Sequence, residues 1–184
     1  MSRPPSARRA AIVDATVRVI AQVGAGGVTH RAVASEAGVP LASTTYYFDS
    51  KDALVVEAFE RVIARSVALV ERHATAGTGS LVDRLVDLVL DQLADEGAPL
   101  TAQLELLIEA GRRPALRPLA ERWDVAYMDA MTRVVAAAGV AEAAQLAAVL
   151  TALMEGALLS QLAVPVEDFA ATTLRPLLSR VISA

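Results

Sequence analysis

Residues 29–51, THRAVASEAGVPLASTTYYFDSK, decide how the N-terminal part of this chain folds. Thr29 can cap a short helix running through Ala37, because its hydroxyl accepts from a backbone N–H that the first helical turn leaves unsatisfied. Gly38 supplies a turn, and residues 41–48 form a second short helix that ends in Tyr46-Tyr47-Phe48. Asp49-Ser50-Lys51 stops that helix and starts another. Two short helices joined by a glycine-containing turn make a helix-turn-helix, in which the first braces the backbone while the second lies in the major groove. This window therefore favours DNA binding.

Outward from it, residues 1–5 hold two prolines and no apolar periodicity, which predicts a mobile arm, with Ser6 capping the first helix. Ile12, Val13, Thr16, Val17 and Ile20 give that helix one buried face, and Gly24, Gly26 and Gly27 end it. The glycines read as a helix stop; a phosphate loop would need a strand before it, and none precedes. Downstream, Ser50 opens a long helix with Leu54, Val55, Ala58, Phe59, Val62 and Ile63 on its inner side, running to about residue 74. Further helices are expected at 80–94, 99–110, 114–138, 141–164 and 166–182, with breaks at the Gly- and Pro-bearing segments between them. No stretch alternates cleanly with period two, so the fold class is all-α.

With 184 residues, 54% of them hydrophobic, the chain can bury one substantial helical domain plus a small appended one. It has no Cys, which removes disulfides and thiolate metal sites, and no apolar signal segment follows Met1, so a cytoplasmic location is expected. No uncharged run exceeds 12 residues, against the roughly 18 that argue for a bilayer span, so no membrane partner is expected. The net charge of −4 is unevenly spread: residues 1–51 carry +3 and the remainder −7. A basic head steers toward phosphate and an acidic body keeps away from it.

The stretch 12–54, with Gly27-Val28-Thr29, Ala34, Ala37-Gly38-Val39, Tyr47-Phe48 and Ser50-Lys51 in fixed register, resembles the N-terminal domain of TetR-type transcriptional regulators. It departs from that family's frequent pattern at Pro40, where Ser is common, and at Thr45, where Tyr is common. The resemblance implies a DNA-binding domain over residues 1–50 and a helical ligand-binding and dimerisation domain over 51–184. It implies a homodimer, built by the last two helices across a twofold axis, on a double-stranded and palindromic operator. It further implies a repressor that a small-molecule effector releases by moving the helix that starts at Lys51; an activator, or a regulator without ligand, is the alternative. A helical adaptor that has lost DNA binding would keep the same fold.

For DNA contact the candidates are Arg3, Arg8, Arg9, Thr29, His30, Arg31, Leu41, Ala42, Ser43, Thr44, Thr45, Tyr46, Tyr47 and Lys51. Arg8 and Arg9 sit in a first helical turn, where the macrodipole disfavours cations and a phosphate would offset that cost. Adjacent on a helix, Tyr46 and Tyr47 cannot share a face, so one packs while the other presents its hydroxyl. The resemblance assigns Thr29, Tyr47 and Lys51 to the DNA backbone and makes Phe48 a core plug. Residues 41–48 contain no Lys or Arg, so the usual bidentate guanine contact is missing. Readout would rest on the Ser43, Thr44 and Thr45 hydroxyls and on Leu41 or Ala42 against thymine methyls.

Catalysis finds little support. The two histidines, His30 and His73, lack the Glu-x-x-His pattern of helical metal sites, and Asp83, Asp87, Asp91 and Asp95 drift around a helix as a solvated strip. Glu105 and Glu109 have no nucleophile or oxyanion device beside them, so neither an enzyme nor a metal or cofactor is expected. Trp123, Tyr127 and Met131 recur every four residues as an adaptable apolar stripe, which serves either as core or as one wall of an effector pocket. Leu107 and Met154 would extend such a wall, with Gln103, Glu105 or Gln161 as polar fixing groups. Ala147, Thr151, Gly156, Ala157 and Ser160 lie among leucines in the last two helices, as close helix packing within or between copies requires.

Overall fold

The computed structural model describes residues 5–75, 79–94 and 97–183, and among these there are helices and no strand. The chain runs α1 (Pro5–Val23), α2 (His30–Ala37), α3 (Leu41–Tyr47), α4 (Lys51–Thr75), α5 (Leu81–Leu93), α6 (Ala98–Arg112), α7 (Arg117–Ala136), α8 (Ala143–Ala163) and α9 (Arg175–Ile182). Short 3-10 turns at Ala25–Gly27 and Pro114–Leu116 lead into α2 and α7. The all-α expectation holds.

Helix starts differ from expectation where a local device intervenes. Helix α1 begins at Pro5, ahead of Ser6, since proline lacks the N–H that a first turn cannot satisfy anyway. Helix α5 opens on a capping box, in which the Ser80 hydroxyl and the Asp83 carboxylate each bond the other's backbone N–H. The helix expected at 166–182 starts later. Val166 N–H donates to the Gln161 side chain at 2.9 Å, and Asp168 takes φ 50, a left-handed conformation that a helix cannot continue through. A π-helical turn, Ala170–Leu174, then carries the chain into α9.

Two compact units divide the chain. The first comprises the described residues up to Arg65 with Ala98–Arg122. Its core gathers Ile12 and Ile20 of α1, Leu54 and Phe59 of α4, and Leu106 of α6, each with no exposed surface. Side chains of this size each contribute about 1.5–3 kcal/mol on burial. Helix α1 packs against both α2 and α6, which is why residues far beyond position 50 join the N-terminal helices in this unit. Ion pairs latch α1 to its neighbours: Arg9 to Glu57, Arg61 to Asp14 at 2.8 Å, and Arg18 to Glu36 at 2.5 Å.

The second unit comprises Ser66–Gly97 and the described residues from Trp123 onward. Its core is built from Leu85, Leu88, Met131, Leu150, Met154, Leu158 and Leu174. Helix α5 packs against α8 and α9, and Arg175 bonds Asp83 at 2.6 Å to fix α9 on the start of α5. Helix α8 is apolar on nearly every side, with Glu155 the one charge in its 21 residues. With a mean hydropathy of 1.6 over an 18-residue window, it is long and apolar enough to cross a bilayer. Counting uncharged runs passes over it because Glu155 interrupts the run.

Candidate nucleic-acid interface

Helix α2 is placed by its two ends. The Thr29 hydroxyl accepts from Ala32 N–H at 3.1 Å, as its cap role requires. At the other end Gly38 sits at φ 64, and its N–H and that of Val39 close on the Ser35 and Ala34 carbonyls at 3.2 and 3.0 Å. This turn sets the direction of α3, which packs on α2. Helix α3 is only seven residues long, and Pro40 before it offers no side-chain cap.

On α3, Thr44 alone is buried, and its hydroxyl donates to the Leu41 carbonyl at 2.8 Å. Thr44 therefore belongs to the packed side and not to base readout, a correction to the sequence reading that grouped it with Ser43 and Thr45. The outer face holds Leu41, Ala42, Thr45 and Tyr46, with Ser43 half-buried at its edge. Thr45 spends its donor on the Ala42 carbonyl at 3.3 Å, which leaves its oxygen to accept. Tyr46 is 81% exposed, while Tyr47 packs partly against the core of the unit. Their rings stand nearly perpendicular, 5.0 Å apart. Phe48 fills the core as expected, at 4% exposure.

The cations differ in how far they are exposed and engaged. Arg9 is paired with Glu57 through both terminal nitrogens and lies 5.2 Å above the Phe48 ring. That geometry commits one edge of the guanidinium and neutralises its charge, leaving Nε–H and one hydrogen on each Nη. Arg8 is half-buried, Arg31 is exposed, and Lys51 is exposed with a long 3.4 Å bond to the Gly26 carbonyl. His30 is half-buried, with its Nδ1 enclosed and without a bond among the described residues. Arg3 lies outside the described residues.

The residues expected to meet an effector fall in different units. Gln103 is buried and Leu107 half-buried in the first. In the second, Trp123, Tyr127, Met131 and Met154 are all at or below 4% exposure. Trp123 donates Nε1–H to the Ser66 hydroxyl at 3.1 Å, and Gln92 donates to the Tyr127 hydroxyl at 3.3 Å. The two rings tilt against each other at 5.3 Å. Burial pushes the Tyr127 phenol up to about 12, and burial with the nearby Asp124 charge holds the Glu155 carboxyl above its ordinary range. Gln161 is not a free fixing group: its amide accepts from Val166 N–H and donates to the Val166 carbonyl at 3.3 Å.

Two features escaped the sequence reading. One is an open apolar groove of about 450 Å³ on α8 and the segment that follows, lined by Leu153, Gly156, Ala157, Val166, Phe169 and Leu177 among others. The small residues of α8 were its signal. The other is Arg84, only 7% exposed on α5, whose Nε–H finds no acceptor among the described residues. Its spacing from Leu81 and Leu88 placed it on the apolar side, and its charge concealed that. Among the described residues no three metal-binding side chains come together.

Two short helices joined by a glycine turn, within an otherwise helical chain, define a helix-turn-helix protein. Residues 12–58 match the family model described as "Bacterial regulatory proteins, tetR family", and residues 76–184 match "Tetracyclin repressor-like, C-terminal domain". The chain belongs to the TetR family. Among curated relatives it is 30% identical over 109 residues to the nicotine-responsive transcriptional repressor HdnoR of Paenarthrobacter nicotinovorans, covering 58% of this chain and 56% of that one. It is 34% identical over 116 residues to the transcriptional regulator BetI of Rhizobium meliloti, covering 61% and 56%. The chain thus spans little more than half the length of these curated relatives. Among solved structures, a TetR-family member from Streptomyces coelicolor is 32% identical with a TM-score of 0.72, covering 95% of this chain and 97% of that one. The multidrug binding protein EbrR complexed with ethidium is also 32% identical, with a TM-score of 0.66 and the same coverage.

Proposed function

We propose that this chain is a homodimeric DNA-binding repressor that a small, mainly apolar molecule releases from a palindromic operator. The observation that carries the DNA-binding part is the outer face of α3. Leu41, Ala42, Thr45 and Tyr46 point outward from a helix set by the Thr29 cap and the Gly38 turn, with Arg31 and Lys51 exposed in the same unit. In this reading Thr29, Tyr47, Lys51, Arg31 and Arg8 meet phosphates, while Leu41, Ala42, Ser43 and Thr45 meet bases.

The dimer part rests on α8. Leu158 and Met154 are committed to the core, yet Val149 and Leu159 on the same helix are each 54% exposed, and the groove beside Gly156 is open. A second copy seated there would cover the surplus apolar surface and supply the twofold symmetry of a palindromic site. The effector part places the ligand in the second unit along Trp123, Tyr127, Met131 and Met154, where methionines can repack around it. The acidic body favours a neutral or cationic molecule, and the nicotine response of HdnoR and the ethidium complex of EbrR support that class. Acting on DNA, the protein works in the cytoplasm.

Selection of duplex DNA from a random pool by the purified chain tests this directly. The expected outcome is one inverted-repeat sequence, bound as a dimer with affinity that falls steeply as salt rises. No salt-dependent binding to any duplex would leave the helical adaptor as the reading to keep.

A further inference from the structure

Helix α3 is too short to hold itself in place. At seven residues it lies well below the length at which an isolated helix is stable, and it buries one residue, Thr44. Its orientation depends on what grips its two ends. Gly38 fixes the start. The exit is Phe48, buried at 4% exposure, with its N–H returning to the Thr44 carbonyl at 3.0 Å.

Arg9 closes over that exit. Its guanidinium lies 5.2 Å from the centre of the Phe48 ring, and both terminal nitrogens bond the Glu57 carboxylate, Nη2 at 2.7 Å and Nη1 in close contact. One side chain thereby ties α1, α4 and the end of α3 together. Only a planar fork can pair with a carboxylate in bidentate fashion while stacking on an aromatic face; a lysine cannot do both. The pair to Glu57 neutralises the guanidinium and commits one of its edges, so a phosphate would gain only Nε–H and one hydrogen on each Nη. About one turn further along α1, Asp14 pairs with Arg61 of α4, with the signs of the two helices exchanged. Sliding α1 by a turn would bring like charges together, so the two pairs fix one register of α1 on α4.

We propose that Arg9 is a positioning residue for operator recognition, with Glu57 as its partner, and that it sets the angle of α3 and touches no phosphate. This rests on the DNA-binding reading above. The consequence concerns specificity: losing the clamp lets α3 tilt, which degrades base contacts and leaves backbone attraction intact.

The test uses the full chain and the duplex that it selects. Affinity for that duplex and for a random one is measured across a series of salt concentrations for wild type, Arg9→Gln, Arg9→Lys and Glu57→Gln, together with thermal unfolding of each. An exposed cation–π contact and an exposed ion pair are each worth about a factor of two to five. Arg9→Gln, which removes both contacts, should therefore lose roughly tenfold on the selected duplex, and Arg9→Lys and Glu57→Gln, which each keep part of the clamp, about two- to fivefold, with little change on random DNA, an unchanged salt slope and a Tm lowered by only a few degrees. Glu57→Gln is the sign test. It removes a negative charge from the DNA-binding unit, so binding should tighten or stay level if Arg9 serves phosphate and weaken if Arg9 positions α3. Full activity of Arg9→Lys, or a salt slope reduced by about one per protomer in Arg9→Gln, would overturn the proposal in favour of a phosphate contact. A Tm lowered by about ten degrees or more with parallel losses on both duplexes would reduce Arg9 to a fold-stabilising residue. A wild-type chain that selects no duplex would remove the DNA-binding reading along with this one.

Discussion

Helices α3 and α8 solve opposite problems. The first has seven residues and one buried side chain, so its neighbours must hold it. The second has 21 residues, with Ala147, Leu150, Thr151, Met154 and Leu158 buried at helical spacing, and still leaves leucine and valine bare on its other side. What α3 exposes is mixed, Leu41 and Tyr46 beside Ala42 and the Thr45 hydroxyl; what α8 exposes is almost all hydrocarbon. An under-packed helix offering hydroxyls suits a polar, charged partner, whereas an over-apolar helix suits a surface like itself. The contrast lies in what each helix has left over once its own packing is satisfied.

The most severe way to break this contrast is to charge the bare side of α8. Gly156 lines the groove, and a Cβ there would meet nothing within 4 Å. Gly156→Arg should leave each copy folded while placing an unpaired charge in the proposed interface, at about 3–5 kcal/mol for each charge so stranded. Sedimentation should show monomer at concentrations where wild type is dimeric. A variant that remains dimeric would exclude this groove from the interface. Leu158, at 2% exposure, is unsuitable for that experiment because a change there would damage the core itself.

The grip on α3 is tested next by Gly38→Ala. With φ 64 and open space around the missing side chain, the cost is one of backbone conformation alone, about 1–2 kcal/mol. Chemical denaturation should report that loss, and operator affinity should fall further than stability explains, because the same turn aims α3. Equal losses in both would mean that the turn serves folding only.

Smaller still are the contacts assigned to phosphate. Lys51→Ala and Tyr47→Phe should each weaken selected and random duplexes alike, by about fivefold, as the loss of one hydrogen bond of about 1 kcal/mol implies. Titrations on both duplexes settle it. A loss confined to the selected one would turn these residues into base readers and blur the distinction between the grip on α3 and its reading face.

Much of the first unit was legible because its signals are local. A cap at Thr29 and a glycine at φ 64 act over a few residues and need no knowledge of the partner helices, while the core plug at Phe48 followed from the family resemblance. The fate of Thr44 and Arg9 was not legible. Whether Thr44 faces in or out depends on how α3 rolls against α2, and Arg9 looks like a phosphate contact until Glu57, 48 positions away, is seen to pair with it. In the second unit the apolar period of α8 was plain, yet a helix apolar on every side does not reveal which stripe is core. Gln161 misled for a related reason: its amide closes a turn five residues ahead, made necessary by Pro165 and by the left-handed Asp168. Arg84 shows the limit most sharply, as a charge enclosed on α5 where composition alone argues for solvent.

The least of the expected effects concerns the polar latch that holds α9 on α5 at the start of the second unit. The Asp83 carboxylate accepts from the Ser80 hydroxyl at 2.6 Å and from Arg175 at 2.6 Å, and it also receives Ser80 N–H at 3.1 Å. These bonds, the Ser80 hydroxyl foremost, lower its pKa to about 2, from about 4 in an unfolded chain. Because the folded value is depressed, the stabilisation is fully present above the unfolded value and disappears as pH falls toward and through the folded one. Asp83→Asn should therefore lower the denaturation midpoint at pH 6, and its difference from wild type should shrink steadily between pH 4 and pH 2. The latch is solvent-facing, so the whole effect is small and should fade with added salt. If the difference stayed constant down to pH 2, the capping geometry and not the charge would be holding α5 and α9 together, and the acidic body would owe its stability to hydrocarbon alone.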